Sequence, residues 1–407
     1  MAFLAIVAAI RGVDAEEAGR LPSGLGVHVQ VWHTKPADLE RIREFGFGFV
    51  RWGISWQAVE KSSGQYDWSS TDAFFERLGR VGLSSIVILA TGNSLYSPWL
   101  ELPSHPGVRQ RRVAAPPETD AAISAFSRFA AAAAKRYANR PVTWELWNEP
   151  DSPIFWPPAP RPEAYARLVS ATCGAMKTAA PQSKVLAPAT AALPNAVPEF
   201  YRALAASEAS ACLDGLSMHS YRVQDGRQPD PESVEPDNLA SRTLLNDIAA
   251  RWRDLPMLCT EWGFPTSAVD RTTQWAYLAR AYLANLASGV SATVWYEWKD
   301  SRDEASNPEA HFGLQTRQGT FKAKPDDTLI KRLLRMKFVG RLETNNALIQ
   351  ALLFRQESTD YVVAWLSSDD SNLTADVSVG ERTVVLRNVP TITPGNQIEV
   401  SGRIYAR

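Results

Sequence analysis

The stretch Gly24-Leu25-Gly26-Val27-His28-Val29-Gln30, running on into Val31-Trp32-His33-Thr34, opens the regular part of the chain. Its apolar alternation reads as a β-strand. A doubly wound sheet normally carries a glycine-rich phosphate turn after its first strand, and no such turn stands here. Outward from this stretch, short β-branched or aromatic runs recur at 24–30, 48–55, 85–91, 142–149, 184–188, 213–221, 256–262 and 292–298. Helical patterns fill 37–45, 71–81, 121–137, 163–179, 197–206, 239–252, 272–287 and 327–336. Strand and helix taking turns eight times predict an α/β fold, a (β/α)8 TIM barrel over residues 24–338. Capping residues mark several helix starts, such as Pro36 before Ala37-Asp38 and Thr119-Asp120 before an alanine-rich run.

Connections after strands are long, at 92–119, 151–161, 222–238 and 299–326, whereas those before strands are mostly short. In a barrel this puts the elaborate loops at the C-terminal face, where barrel sites are built. From 341 to 407 only strand patterns remain, at 348–356, 361–367, 373–379, 383–389 and 397–406, which predicts a small antiparallel accessory β domain.

Composition narrows the partner. The 407 residues hold 43 Lys+Arg against 44 Asp+Glu, for a net charge of -1. That balance excludes the electrostatic footprint nucleic acid needs and favours a neutral or mildly charged partner. Cys173, Cys212 and Cys259 allow at most one disulfide, and Cys259, inside a strand run, reads as a buried small apolar residue. Residues 2–10 form an apolar run ahead of Val13-Asp14-Ala15, which reads as a signal peptide over 1–15 and a periplasmic or secreted protein. That run falls well short of the ~20 residues a membrane span takes, and no other stretch approaches it.

Two carboxyls carry the chemistry. The fourth run ends Trp144-Glu145-Leu146-Trp147-Asn148-Glu149-Pro150, and the seventh ends Leu258-Cys259-Thr260-Glu261-Trp262-Gly263. Strands four and seven face each other across a barrel mouth, so Glu149 and Glu261 are expected to converge there. Opposed carboxyls in one pocket are what cleavage of a glycosidic bond needs. Pro150 is expected to keep Glu149 extended at the strand tip. Strict alternation sends only one of Asn148 and Glu149 inward, so a local bend is required if both line the pocket. The histidines do not suggest a metal: strand one offers His28-Val29-Gln30 rather than His-x-His, and 184–188 offers no ligand. No Gly-x-Ser-x-Gly elbow occurs, and no cofactor is implied.

Trp147-Asn148-Glu149-Pro150, Glu261-Trp262-Gly263 and His219-Ser220-Tyr221 together resemble the retaining glycoside hydrolases of clan A. Gly26-Val27-His28, Phe49-Val50-Arg51 and Trp295-Tyr296-Glu297-Trp298-Lys299-Asp300 look most like glycoside hydrolase family 39 and its bacterial exopolysaccharide-hydrolase relatives. The resemblance implies Glu149 as general acid/base and Glu261 as nucleophile. It also implies Asn148 on the sugar 2-hydroxyl, Tyr221 and Arg51 holding the nucleophile, and His219 at the sugar or the catalytic pair. Trp147 and Trp156 are expected to surround Glu149 with apolar groups.

Nine of the 14 tryptophans, Trp32, Trp52, Trp56, Trp99, Trp147, Trp156, Trp262, Trp295 and Trp298, fall at strand ends or in the loops after them. Indole stacks on the apolar face of a sugar ring, so this placement suits a saccharide cleft, with Trp298 as the foremost platform. His28, Trp147 and Trp298 complete the expected substrate-binding set. The reading is a retaining glycoside hydrolase of a poly- or oligosaccharide. Its rivals are a β-xylosidase or cellulase-like endoglucanase and, in another class, a barrel that binds polysaccharide without cutting it. The basic residues Arg109, Arg111 and Arg112 of the 92–119 loop read as a solvated surface rather than a contact for acidic polysaccharide.

Overall fold

A computed structural model describes residues 20–102, 111–223, 227–302, 307–320, 327–346, 348–366, 373–379 and 382–389. The expected signal peptide, the strand at 397–406, His105 and Arg109 lie outside them. The barrel strands are β1 (Gly24–His28), β2 (Phe49–Ser55), β3 (Ser84–Ala90), β4 (Val142–Leu146), β5 (Lys184–Thr190), β6 (Gly215–His219), β7 (Met257–Trp262) and β8 (Val290–Trp295). They close in the order β1-β8-β7-β6-β5-β4-β3-β2, every pair parallel. This is the TIM barrel that the alternation predicts.

Helices cover the strands because their apolar stripes have nowhere else to go. The alanine-rich helix Asp120–Arg136 starts at Thr119, whose side chain accepts the Ala122 amide, a cap worth about 1 kcal/mol. Its buried Ala122, Ala125, Ala130, Ala133 and Ala134 add little bulk to a helix that packs against Pro162–Ala179. A disulfide joins Cys173 of that second helix to Cys212, and Cys259 is free and buried.

Inside the barrel, Phe49, Ile86, Leu186, Leu258, Ala292 and Val294 form an apolar layer. Gly26 belongs to this layer for a steric reason: a Cβ there would overlap the Phe49 ring. One step further along the strands, on the same inward face, come His28, Arg51 and Glu145. The loop after β3 holds a hairpin, Trp99–Leu102 against Arg111–Ala114, where the sequence suggests only a long connection.

Beyond the helix Asp327–Leu334, β9 (Lys337–Arg341), β10 (Ile349–Gln356) and β11 (Thr359–Leu366) make an antiparallel sheet, and β12 (Leu373–Val379) pairs with β13 (Arg382–Val389). The sequence reading misses β9, whose residues alternate between exposed and half-buried and include only Phe338 and Val339 as large apolar groups. The sheet is tied to the barrel by polar contacts. Trp365 donates its indole N–H to Glu232 at 2.7 Å, and Arg280 forks the same carboxylate at 2.8 Å. No helix among the described residues is long and apolar enough to cross a membrane.

Candidate active site

Strand register brings the polar residues together. Pairing sets His28 beside Arg51 and His219 beside Glu261, at the C-terminal rim of the barrel. Glu149 arrives differently. β4 stops at Leu146, and the chain beyond it turns through the left-handed region, with φ of +74° at Trp147 and +47° at Glu149. Pro150 therefore does not keep Glu149 extended. It disfavours the right-handed helical region, and Glu149 takes a conformation that side chains seldom adopt. The bend is held by hydrogen bonds from Trp147 N to Leu89 O (3.0 Å) and from Glu149 N to Ala189 O (2.9 Å). Asp151 fixes the next turn by accepting the Ala191 and Ala192 amides at 2.8 and 3.2 Å. As the alternation argument requires, the bend lets both Asn148 and Glu149 reach the pocket.

Arg51 is the hub. Fully buried, it donates Nε–H to Glu145 Oε2 at 2.7 Å, Nη1–H to Glu261 Oε2 at 2.6 Å and Nη2–H to Asn148 Oδ1 at 2.8 Å. Nη2 also lies 3.3 Å from His219 Nε2. Because a guanidinium only donates, His219 Nε2 must accept, so the proton sits on Nδ1. Nδ1–H then donates to Glu149 Oε1 at 2.8 Å. Glu261 Oε1 accepts the Tyr221 hydroxyl at 3.3 Å. Oxygen and nitrogen atoms of Glu149, His219 and Glu261 lie within 4.8 Å of one another. Three such groups could in principle hold a cation, but the Arg51 guanidinium already supplies a fixed positive charge to Glu261 and would repel one.

The two carboxyls differ in environment. Burial pushes Glu149 up to about 7, and Arg51 only partly opposes it. Burial also raises Glu261, while the Arg51 guanidinium pulls it down. Geometry separates the pair: Arg51 donates directly to Glu261 and not to Glu149, so Glu261 is the ionised member and Glu149 keeps its proton. Burial drives His219 down to about 4, which makes its contact with Glu149 a hydrogen bond of a neutral imidazole rather than an ion pair. With side-chain exposures of 15% for Glu149 and 13% for Glu261, both remain open to a ligand.

Other expected residues fall elsewhere. Trp298 is 1% exposed and lies edge-on to Phe45 and Phe47, so it is core and no sugar platform. Trp147 is equally buried, packed on Phe126 and Trp156 with its N–H on Phe155 O, and lies off the pocket surface. Seven of the nine tryptophans at strand ends or in the following loops are buried. His28, by contrast, stays at the rim beside Arg51, buried with its ring 5.1 Å from that of Tyr296.

Sequence reasoning missed three members of the site. Glu145 is wholly buried within an otherwise apolar strand, and a buried carboxylate demands a cationic partner; that signal leads to Arg51. Glu297, 1% exposed, accepts Gln30 Nε2 at 3.4 Å and is pushed by burial up to about 8. Tyr296 stands between His28 and Phe312, within electrostatic reach of Glu261 and Glu149. Gly263 permits this arrangement, since a Cβ there would overlap the Tyr296 carbonyl.

The family model for Cellulase (glycosyl hydrolase family 5) matches residues 13–301. The chain belongs to this family. It is thus a clan A glycoside hydrolase, the clan that its strand-four and strand-seven motifs resemble. Several solved structures share the fold of this family 5 hydrolase. A family 39 glycoside hydrolase from Bacteroides cellulosilyticus WH2 is 20% identical with a TM-score of 0.68, covering 93% of this chain and 80% of its own. A monomeric β-xylosidase from Caulobacter crescentus CB15 is 21% identical at 0.63, covering 86% and 76%. A family 30 endoxylanase from Clostridium papyrosolvens C71 is 14% identical at 0.62, covering 91% and 95%. No curated protein matches the sequence.

Proposed function

We propose that this hydrolase cleaves a poly- or oligosaccharide with retention of anomeric configuration, Glu261 acting as nucleophile and Glu149 as general acid/base. The observation that carries this reading is that one oxygen of each carboxyl lies within 4.8 Å of the other, with only Glu261 bound to Arg51. Retaining enzymes set their carboxyls about 5–5.5 Å apart, whereas inverting ones leave about 6.5–9.5 Å for a water. Glu261 Oε1, held less tightly than Oε2, attacks the anomeric carbon. The proton of Glu149 sits on Oε2, since Oε1 accepts from His219, and passes to the leaving oxygen. Glu149 then deprotonates the water that releases the sugar from Glu261. With Oδ1 engaged by Arg51, Asn148 meets the 2-hydroxyl as a donor through Nδ2. Proton NMR of a fresh digest tests the reading: the first product carries the substrate's anomeric configuration, and initial release of the opposite anomer removes Glu261 as nucleophile.

The pH profile follows from the same pair. Glu149 acts protonated, so kcat/KM is sustained below about 7 and falls tenfold per pH unit above it. Glu261 acts ionised, which places its limb on the acid side. Initial rates on an aryl glycoside across pH 4–9 check both limbs. As substrate we propose an extracellular polysaccharide and, for the enzyme, export to the periplasm or medium. The Cys173–Cys212 disulfide supports export, because such bonds persist in oxidising compartments.

A further inference from the structure

We propose that Trp365 of the accessory sheet is a positioning residue for the nucleophile, fixing through Glu232 the loop whose Tyr221 holds Glu261. The inference rests on the glycosidase reading and deepens it by giving the accessory sheet a task at the active site. Trp365 is wholly buried, and its indole N–H donates to Glu232 Oε1, outside the sheet, at 2.7 Å. Glu232 stands in the short helical turn Pro231–Val234, within the connection that follows β6. A carboxylate this deep needs donors on both oxygens. Arg280, on the helix Arg271–Ala287, supplies one to each at 2.8 Å, and Trp365 adds a third from a different part of the fold. The sheet grips the same connection a second time, where Arg341 of β9 donates to Glu235 at 2.5 Å.

From Glu232 the contacts run to the catalytic pair in short steps. Its neighbour Ser233 accepts Arg222 Nη1–H at 3.0 Å, and Asp237 lies 3.6 Å from the same nitrogen. Arg222 follows Tyr221 directly in the chain, and its guanidinium carbon sits 5.9 Å from the ring centre of Trp262, the residue after Glu261. A second tether, Gln228 Nε2–H to Gly263 O at 2.9 Å, ties the connection to a residue two places past Glu261. Tyr221 donates to Glu261 Oε1 at 3.3 Å, against 2.6 Å for Arg51 on Oε2. A bond near the limit of its range is lost on a small shift of its donor, so Tyr221 is the holder of Glu261 most sensitive to its loop. Oε1 is the attacking oxygen, and there a misplaced loop is felt.

Trp365→Phe keeps a flat apolar ring and removes the N–H, and a double-mutant cycle with Tyr221→Phe, read on an aryl glycoside with full-length protein, makes the test. Trp365→Phe lowers kcat roughly fivefold with KM little changed. The acid limb of its pH profile moves toward alkaline pH, because Glu261 loses part of a donor that favours its ionised form. In the Tyr221→Phe background the same change lowers kcat no further. Phe354→Leu, which disturbs the sheet at its contact with Phe338, reproduces the loss of stability in urea without the loss of kcat. Effects of Trp365→Phe and Tyr221→Phe that multiply in the double variant overturn the proposal, as does an equal fall of kcat in Phe354→Leu. Hydrogen exchange adds a readout that needs no substrate. Peptides spanning 227–238 exchange faster in Trp365→Phe than in wild type or Phe354→Leu, and unchanged exchange there overturns the proposal. A wild type that cleaves no aryl glycoside would end the glycosidase reading instead, while exchange still decides whether Trp365 fixes the loop.

Discussion

Replacing Glu261 by Gln lowers kcat/KM on an aryl glycoside by roughly 10⁴- to 10⁶-fold, the range expected when a covalent nucleophile is removed from a preorganised site. The fold survives the change. Gln has the shape of Glu and still accepts from either Arg51 or Tyr221, although its amide must point N–H groups at one of those donors. Oligosaccharide binding therefore persists in E261Q while turnover vanishes, the opposite of what a pure polysaccharide binder would show. Glu149→Gln behaves differently. A substrate with a dinitrophenyl leaving group needs little protonation, so it glycosylates E149Q at near wild-type rate and then stalls, because no base activates the water. Intact-mass measurement shows the difference: E149Q accumulates a glycosyl adduct that peptide mapping places on Glu261, and E261Q accumulates none. Equal turnover by E261Q and wild type would end the double-displacement reading.

The limits of the sequence reading have a single structural cause. The barrel and the convergence of Glu149 and Glu261 were legible because strand ends recur with period, while Arg51, His219 and Tyr221 entered only through the resemblance to clan A motifs. The tryptophans misled because period two acts on neighbours as well. Arg51 points inward, so Trp52 points outward and packs on Phe74 and Phe75 of the helix Ser69–Val81. Glu145 and Trp144, and Glu261 and Trp262, repeat the pattern: each glutamate joins the Arg51 network, while Trp144 packs on Tyr137 and Trp262 on Phe264. Tryptophan next to a catalytic residue in sequence thus marks the opposite face of the strand. Trp298 fails for another reason. β8 ends at Trp295, so the alternation that would align Trp298 with Tyr296 no longer applies. The Glu149 bend could be required from sequence but not drawn, because its φ depends on Leu89 and Ala189, which lie on neighbouring strands.

Arg51→Met is expected to cost both stability and activity. It strands the Glu145 carboxylate in a fully buried site, and breaking a buried pair in this way costs about 3–5 kcal/mol. It also strips Glu261 and Asn148 of their shared donor, and loss of a preorganised donor slows chemistry by about 10²- to 10³-fold. Arg51→Lys restores little of either, since one ammonium cannot reach Glu145, Glu261 and Asn148 with a fixed fork. The two losses separate in the double variant R51M/E145Q. Neutralising Glu145 removes the orphaned charge, so urea denaturation shows most of the stability recovered, while kcat/KM stays low. The pH profile moves as well: Arg51 holds both Glu149 and Glu261 down, so its removal lets both rise and shifts the two limbs of the profile toward alkaline pH. A merely structural arginine would leave that profile in place once stability was restored, and an unshifted profile in the double variant would show that Arg51 does not set the charge of the catalytic pair.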